Sequence, residues 1–353
     1  MDTYDISEVV RNSSEELFTI VGSSTEKIDS ITTAPYSYWR ATLRQFFKKP
    51  SVYICLFLLF AVIFLTIFGT MMKSWNITVS GPDGMDISDR FGHDPVTNVF
   101  KPVGMNSENW FGAFYGPSNA TYRGLDMWTL VWTGARLSLL LGLVVAVIDS
   151  ILGIVVGAIW GYFPRLDPIM LEIRNFIGTI PTMLLYIMLM QIFAQYMDRY
   201  AFLIIVFLLT MFGWMGLAGT IRNQIIIIRY REYNVASQTL GSSPTAMVTH
   251  NLLPYIISII VSEIALSIPG AISAEVGLSY FNLSFRFLDG DITLGQVLTE
   301  SAKTAGGFAG VRADWMEAPW MIIAPMVALI PITVCFFYIG IALSDASDPK
   351  THR

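Results

Sequence analysis

Charged residues are scarce in this sequence. Only 14% of its 353 residues are Asp, Glu, Lys or Arg, whereas about 25% is usual in soluble domains. Hydrophobic residues make up 54% of the chain, a composition typical of a polytopic membrane protein. The net charge of −5 offers no basic surface for nucleic acid, so we expect no nucleic-acid partner.

Cysteine and histidine are almost absent. The two cysteines, Cys55 and Cys335, both lie inside apolar runs, and the three histidines lie far apart in the sequence. Neither a disulfide framework nor zinc-ligand spacing can be read from them. We therefore expect no metal and no cofactor in this chain.

Catalytic motifs are also missing. The chain has no G-x-x-x-x-G-K-[ST] to cradle phosphates, no H-E-x-x-H for a metalloprotease, and no G-x-S-x-G with a histidine base inside a span. A membrane enzyme is therefore disfavoured. If ATP drives this protein, another chain must bind it.

The N-terminal 34 residues have no apolar core with a cleavage site, so no signal peptide is expected. They are polar, and a few spaced apolar residues leave two interpretations open, a mobile tail or a docking helix. From 36 to 50, aromatic and basic residues interleave, which favours an amphipathic helix at the inner membrane surface. We assign 1–50 as a cytoplasmic tail with an interfacial helix.

Six apolar runs are long enough to cross a bilayer, which predicts an all-α polytopic fold with six transmembrane helices. The first covers roughly 31 Å at 1.5 Å per residue. The predicted spans are 52–72, 137–162, 169–193, 201–221, 255–272 and 320–342. We assign the first transmembrane helix as a whole to 51–72. Pro181 and Pro269 predict kinks or breaks in two of the spans.

Basic residues predict the orientation of the spans. They flank the first span on its N-terminal side and the second, fourth and sixth on their C-terminal sides: Arg40, Arg44, Lys48, Lys49, Arg165, Arg222, Arg229, Arg231, Lys350 and Arg353. All fall on one side if both termini, including the tail 344–353, are cytoplasmic. The segments 73–136 and 273–319 then lie outside. The first is either a small subdomain or a long loop, and the second is expected to fold partly back into the bilayer.

A polar connection, residues 229–254, remains inside the cell in this arrangement. Its composition predicts a short helix over 232–240, a left-handed glycine cap at Gly241, and a second helix with Ser243 as N-cap and Pro244 in its first turn. An ordinary polar loop punctuated by Gly and Pro is the alternative. We assign the transmembrane core, which consists of the later spans and their connections, to residues 137–343.

The spacing in this connection resembles the E-A-A-x3-G-x9-I-x-L-P loop of permease subunits of binding-protein-dependent ABC importers. Ala236-Ser237, Gly241 and Leu253-Pro254 match, whereas Val235 and Asn251 stand in place of the glutamate and the isoleucine. Within this family, the connection resembles the peptide-transporter branch at Glu232-Tyr233, Leu240-Gly241 and His250 to Pro254. Four other stretches, 134–142, 157–162, 275–281 and 343–349, are also similar to that branch, and among paired permeases the chain resembles the C-type subunit.

The resemblance implies a type I ABC importer permease core in a bacterial plasma membrane. It further implies a second homologous permease, two ABC ATPases that bind ATP and Mg²⁺, and an extracytoplasmic binding lipoprotein. Peptide would be the cargo, with nickel chelates and glutathione as alternatives. The residues implied in contacting the ATPase are Glu232, Tyr233, Ala236, Ser237, Leu240, Gly241, His250, Leu253 and Pro254.

Acidic residues near or within the spans provide a second set of candidates, because buried charge in a membrane is costly. Asp149, Glu263 and Glu275 are predicted to lie at the substrate path or at the interface with the second permease. For Asp149 and Glu263 a hydrogen bond between helices is the alternative. A stand-alone secondary transporter or channel is the competing function, but it requires a coupling site and repeats, and no repeat is visible.

Overall fold

A computed structural model describes residues 38–72, 93–94, 99–100, 105, 110–112, 126–281, 292–305 and 319–347. The predicted tail helix within 1–34, most of 73–136 and the tail 348–353 lie outside the described residues. Two strands of two residues each, β1 (His93–Asp94) and β2 (Val99–Phe100), pair antiparallel. The remaining elements are helical.

The helices follow the predicted order. They are α1 (Tyr38–Phe46), α2 (Pro50–Phe68), α3 (Met127–Tyr162), α4 (Asp167–Thr179), α5 (Thr182–Phe193), α6 (Met197–Arg229), α7 (Glu232–Thr239), α8 (Pro244–Ala246), α9 (Ile257–Tyr280), α10 (Leu294–Ala305) and α11 (Trp320–Ser347). Short 3-10 turns, Pro164–Leu166 and Ala194–Tyr196, precede α4 and α6. A π-helical segment, Met247–Leu252, and a 3-10 turn, Leu253–Ile256, join α8 to α9.

The described residues contain five helices long and apolar enough to cross a membrane, and a sixth span if the bent pair α4–α5 counts as one. That pair bends by 85°, next to the predicted break at Pro181. Several boundaries differ from the sequence prediction: α6 continues past 221 to Arg229, α11 continues past 342 to Ser347, and α2 ends at Phe68 instead of 72. Two further differences concern α3 and α9. α3 begins ten residues before 137, at Met127, because Asp126 caps it by accepting from the Thr129 amide at 3.1 Å. α9 continues past 272 to Tyr280 with Pro269 inside the helix.

The α3–α6 pair is packed closely along a row of small residues. Gly153, Gly157 and Gly161 recur every fourth residue of α3, so they share one face of the helix. A Cβ added at Gly157 would lie 2.7 Å from the Ala218 carbonyl oxygen of α6, closer than packing allows. The glycines therefore permit the backbones of the two helices to approach.

One end of the bundle collects the basic flanks, as their distribution in the sequence predicts. Arg229, at the end of α6, donates from Nη1 to the Tyr162 carbonyl oxygen at 2.6 Å. Lys49 pairs with Asp345 at 2.8 Å. These contacts place the start of α2 beside the end of α11, and the end of α3 beside the end of α6. At the opposite end, the Trp128 indole donates to the Gly69 carbonyl oxygen at 2.7 Å.

The chain's two cysteines meet between the first and last spans. Cys55 of α2 and Cys335 of α11 are buried in one cluster with Leu59. We therefore expect the membrane-permeant oxidant copper phenanthroline to link them within one chain. Mass spectrometry of a digest should detect the Cys55–Cys335 peptide pair, and the Cys335→Ser variant should lack it. Recovery of only unlinked peptides from the unaltered chain would contradict the packing of α2 on α11.

Candidate functional site

The 229–254 connection folds as two helices around a tight glycine turn, as its sequence predicts. Past the end of α7, the Gly241 amide donates to the Gln238 carbonyl oxygen at 3.0 Å, and the Ser242 amide donates to that of Ser237 at 3.2 Å. This pair of bonds is the Schellman ending of a helix. Gly241 has φ = +88°, the left-handed conformation that glycine adopts without steric cost.

The second helix begins as predicted and then departs from regular geometry. Ser243 accepts from the Ala246 amide through its hydroxyl at 3.3 Å, and Pro244 occupies the first turn. The chain then passes through the π-helical segment Met247–Leu252 and the 3-10 turn Leu253–Ile256 into α9. Pro254 therefore lies in an uninterrupted helical path, so the connection leads directly into the next span.

Buried side chains fix this connection to the bundle. Met247, Leu252 and Ile256 pack in one cluster with Ile221 and Ile225 of α6. Because each is at most 1% exposed, the connection and the ends of α6 and α9 form one packed body.

Two buried polar residues add to this attachment. Asn234 was not named from the sequence, and Arg229 was named only as a basic residue flanking a span. The side-chain amide of Asn234 donates to the Ile228 carbonyl oxygen at 3.0 Å. The Arg229 guanidinium donates to the carbonyl oxygens of Gly161 and Tyr162. Asn234 is 0% exposed. No local pattern distinguishes a buried asparagine or arginine from the exposed polar residues beside it.

The opposite side of the connection faces outward. Leu240 is 87% exposed and Tyr233 50%, which is unusual for large apolar side chains outside a membrane or an interface. Seven of the nine predicted contact residues are exposed, and Ser237 and Leu253 are partly buried. The exposed seven are Glu232, Tyr233, Ala236, Leu240, Gly241, His250 and Pro254. The structure thus combines a fixed inner side with an exposed outer side that carries Tyr233 and Leu240.

Glu275 is enclosed by hydroxyl donors. Its carboxylate accepts from Thr293 at 2.5 Å, from Ser279 at 3.0 Å and from Ser138 at 3.2 Å, and it is 0% exposed. The Gly295 amide, in the first turn of α10, is a further donor. A carboxylate at a helix N-terminus is stabilised by the helix dipole. Glu275 therefore joins α3, α9 and α10.

The start of α10 is closed around this carboxylate. The Leu294 amide donates to the Ser138 hydroxyl at 3.0 Å, and Thr293 and Gln296 exchange bonds as a capping box. A Cβ at Gly134 would lie 2.9 Å from the Leu294 nitrogen, so glycine is needed for this approach. Two of the stretches that carry the family resemblance, 134–142 and 275–281, thus meet at one structural joint. The predicted role of Glu275 at a substrate path or interface stays a prediction.

Asp149 lies one turn before the glycine row of α3 and is 7% exposed. Its carboxylate occupies the space that a side chain at Gly213 of α6 would fill. Among the described residues, Asp149 Oδ1 has no hydrogen-bond partner. An ionisable residue inside a span is a candidate functional residue, and the predicted role of Asp149 at the substrate path or permease interface stays a prediction.

Glu263 has a different environment. It is partly exposed, and the Thr220 hydroxyl of α6 lies 3.4 Å from its Oε1. A hydrogen bond between helices, the alternative considered from the sequence, is therefore present. The remaining exposed surface of Glu263 is compatible with the predicted path or interface, which stays a prediction.

Comparisons with known proteins agree on one family. The protein-family model described as binding-protein-dependent transport system inner membrane component matches residues 153–353 of this chain. The oligopeptide transport system permease protein AmiD of Streptococcus pneumoniae is 31% identical, with 96% of this chain and 98% of that protein covered. The dipeptide transport system permease protein DppC of Bacillus subtilis is 26% identical over 96% of this chain and 94% of its own. The oligopeptide permease OppC of the same organism is 23% identical, with 98% and 100% covered.

Proposed function

The chain belongs to the family of binding-protein-dependent transport system inner membrane components, and on that premise we propose that it is the C-type permease of an ATP-driven peptide importer. It is a multi-pass protein of a bacterial inner membrane and a transport subunit rather than an enzyme. Oligopeptides or dipeptides are the proposed cargo, because the similar permeases AmiD, OppC and DppC carry those names.

The proposed assembly contains partners that supply what this chain lacks. An ABC transporter permease works with other transporter subunits. We assign it a second homologous permease, two ATPases that bind ATP and Mg²⁺, and an extracytoplasmic lipoprotein that delivers the peptide. We propose that both termini and the 229–254 connection lie in the cytoplasm, and the basic residues at that end of the bundle support this orientation.

One observation carries the proposed mechanism: the 229–254 connection is exposed on one side and packed into the bundle on the other. Leu240 and Tyr233 offer apolar side chains that a groove in a soluble ATPase can accept, as amphipathic helices are accepted in other grooves. Met247, Leu252 and Ile256 join the same connection to α6 and α9. A push on α7 is therefore transmitted to two spans without a flexible link.

Alternating access follows if that push rearranges the interface between the two permeases. Asp149 and Glu263 are proposed to respond to this movement, since both lie where α6 meets another span. Asp149 contacts the position of Gly213, and Glu263 contacts Thr220. Small shifts of α6 would therefore change the surroundings of both carboxylates.

Reconstitution separates this function from the competing one, a stand-alone secondary transporter. Liposomes containing both permeases, the two ATPases and the binding protein should accumulate labelled peptide only with ATP and Mg²⁺. Liposomes containing this chain alone, with an imposed proton or sodium gradient, should take up none. Gradient-driven uptake by the isolated chain would favour the secondary transporter. Peptide uptake by the complete complex that is the same with and without ATP would contradict the importer.

A further inference from the structure

A cavity of about 600 Å³ with both polar and apolar lining lies at the end of the bundle that carries the 229–254 connection. Its volume is in the range that holds small ligands. One wall comes from the α1–α2 junction and the end of α11, and the other comes from α6 and the start of α9. The lining residues that carry chemistry are Gln45, Lys49, Gln224, Tyr255, Ser258 and Asp345.

The cavity lies where the spans end. Lys49 directly precedes α2, Asp345 lies two residues before the end of α11, and Tyr255 precedes α9. Helix ends that reach a membrane surface lie at the depth of lipid headgroups, where Lys and Tyr side chains are favoured. Ile256, Ile259 and Ala346 add apolar lining beside the polar groups. The lining therefore matches the polar–apolar boundary of a lipid.

The ion pair in this cavity lies at two helix ends whose dipoles oppose the charges of its members. Lys49 lies at the N-terminus of α2, where the helix dipole disfavours a cation, and Asp345 lies in the last turn of α11, where it disfavours an anion. Their Nζ and Oδ2 atoms are 2.8 Å apart, yet the side chains are 36% and 57% exposed. An ion pair this exposed is weak, so a ligand bearing both charges can compete with it.

We propose that this cavity binds the headgroup of a glycerophospholipid whose headgroup carries a phosphate and a primary amine. The phosphate accepts hydrogen bonds from Lys49 at the positive end of α2, and the amine donates to Asp345 at the negative end of α11. Tyr255 and Ser258 hydroxyls are further donors to the phosphate oxygens. Ile259, which is only partly buried, contacts the glycerol and the first acyl carbons.

The bound lipid would connect two parts of the chain. Lys49 and Asp345 belong to the first and last spans, which also pack through Phe46, Val52 and Ala342. Tyr255 and Ser258 follow the 229–254 connection directly. The lipid therefore bridges the wall next to that connection and the wall made by the first and last spans.

Native mass spectrometry of the purified full-length chain tests this site. The delipidated protein in a nonionic detergent is mixed with phosphatidylethanolamine, phosphatidylglycerol or phosphatidylcholine of the same acyl chains. We expect phosphatidylethanolamine to be retained in preference to the other two. Lys49→Ala should lower its retention about tenfold, the effect of losing one charge-assisted hydrogen bond. Asp345→Asn should lower the retention of phosphatidylethanolamine. It should leave the retention of phosphatidylglycerol unchanged, because that lipid lacks the amine.

Lys48→Ala is the matched control, because Lys48 is exposed, adjacent in sequence and outside the cavity lining. Its lipid retention should equal that of the unaltered chain. Equal loss in the Lys48 and Lys49 variants, or equal retention of all three lipids, would overturn the proposal. Displacement of the lipid by a dipeptide at equal concentration would also overturn it, in favour of a cargo site. Free phosphoethanolamine should compete weakly, because it lacks the acyl chains.

Discussion

Replacing Gly241 with valine should abolish ATP-driven peptide uptake while leaving the chain inserted in the membrane. Gly241 has φ = +88°, which costs a non-glycine residue about 1–2 kcal/mol and a β-branched residue more. Nothing lies within 4 Å of an added Cβ, so the cost comes from the backbone of the turn and not from a clash. The turn must then open, and α7 loses its orientation towards the ATPase. Uptake into proteoliposomes of the complete complex measures the effect.

Two further variants distinguish the left-handed backbone conformation at Gly241 from the added bulk of a side chain. Gly241→Asn should keep much of the uptake, because asparagine tolerates the left-handed conformation better than other non-glycine residues. Ser242→Val adds the same bulk one residue later and should also transport. Normal uptake by Gly241→Val, or equal loss in Ser242→Val, would show that the shape of this turn does not transmit the ATPase movement.

Replacing Glu275 with alanine should destabilise the chain by about 3–5 kcal/mol, because three buried hydroxyl donors would lose their acceptor at a cost of about 1–3 kcal/mol each. The hydroxyls of Ser138, Ser279 and Thr293 would lose their shared acceptor inside the protein. The first turn of α10 would also lose a favourable negative charge. The thermal unfolding midpoint in detergent, and the yield of folded protein, should both fall.

The effect should depend on the lost acceptor rather than on the lost negative charge alone. Glu275→Gln keeps one acceptor oxygen and should be intermediate between the unaltered chain and Glu275→Ala. Glu172→Ala removes a carboxylate that is exposed on α4 and should leave the unfolding midpoint unchanged. A Glu275→Ala chain as stable as the Glu172→Ala chain would contradict the anchoring of α10 by this carboxylate.

The sequence was sufficient where structure follows from local signals. Gly241, Ser243 and Pro244 specify a helix ending and a helix start through backbone preferences that act within a few residues, and the turn was predicted correctly. Hydrophobic length gave the six spans, and Pro181 gave the break between α4 and α5.

The prediction was incomplete where contacts join distant residues. Glu275 meets Ser138, which is 137 positions away, and Thr293, 18 positions away, so their joint could not be read from either stretch. The end of α9 was placed eight residues early because Pro269 and the small residues after it are typical of a loop. In the structure, Ser138 of α3 and Thr293 next to α10 donate hydrogen bonds to Glu275 in this part of α9 and favour the helix.

Labelling of Leu240 tests the central claim, that the exposed side of the 229–254 connection meets an ATPase in the cytoplasm. A Leu240→Cys chain with Cys55 and Cys335 replaced by serine carries one thiol, at a position that is 87% exposed. In vesicles of defined orientation, a membrane-impermeant maleimide should react only from the cytoplasmic side. A bifunctional maleimide should then link the chain to the ATPase in the complete complex. Reaction from the extracytoplasmic side, or the absence of any link to an ATP hydrolase, would contradict the account.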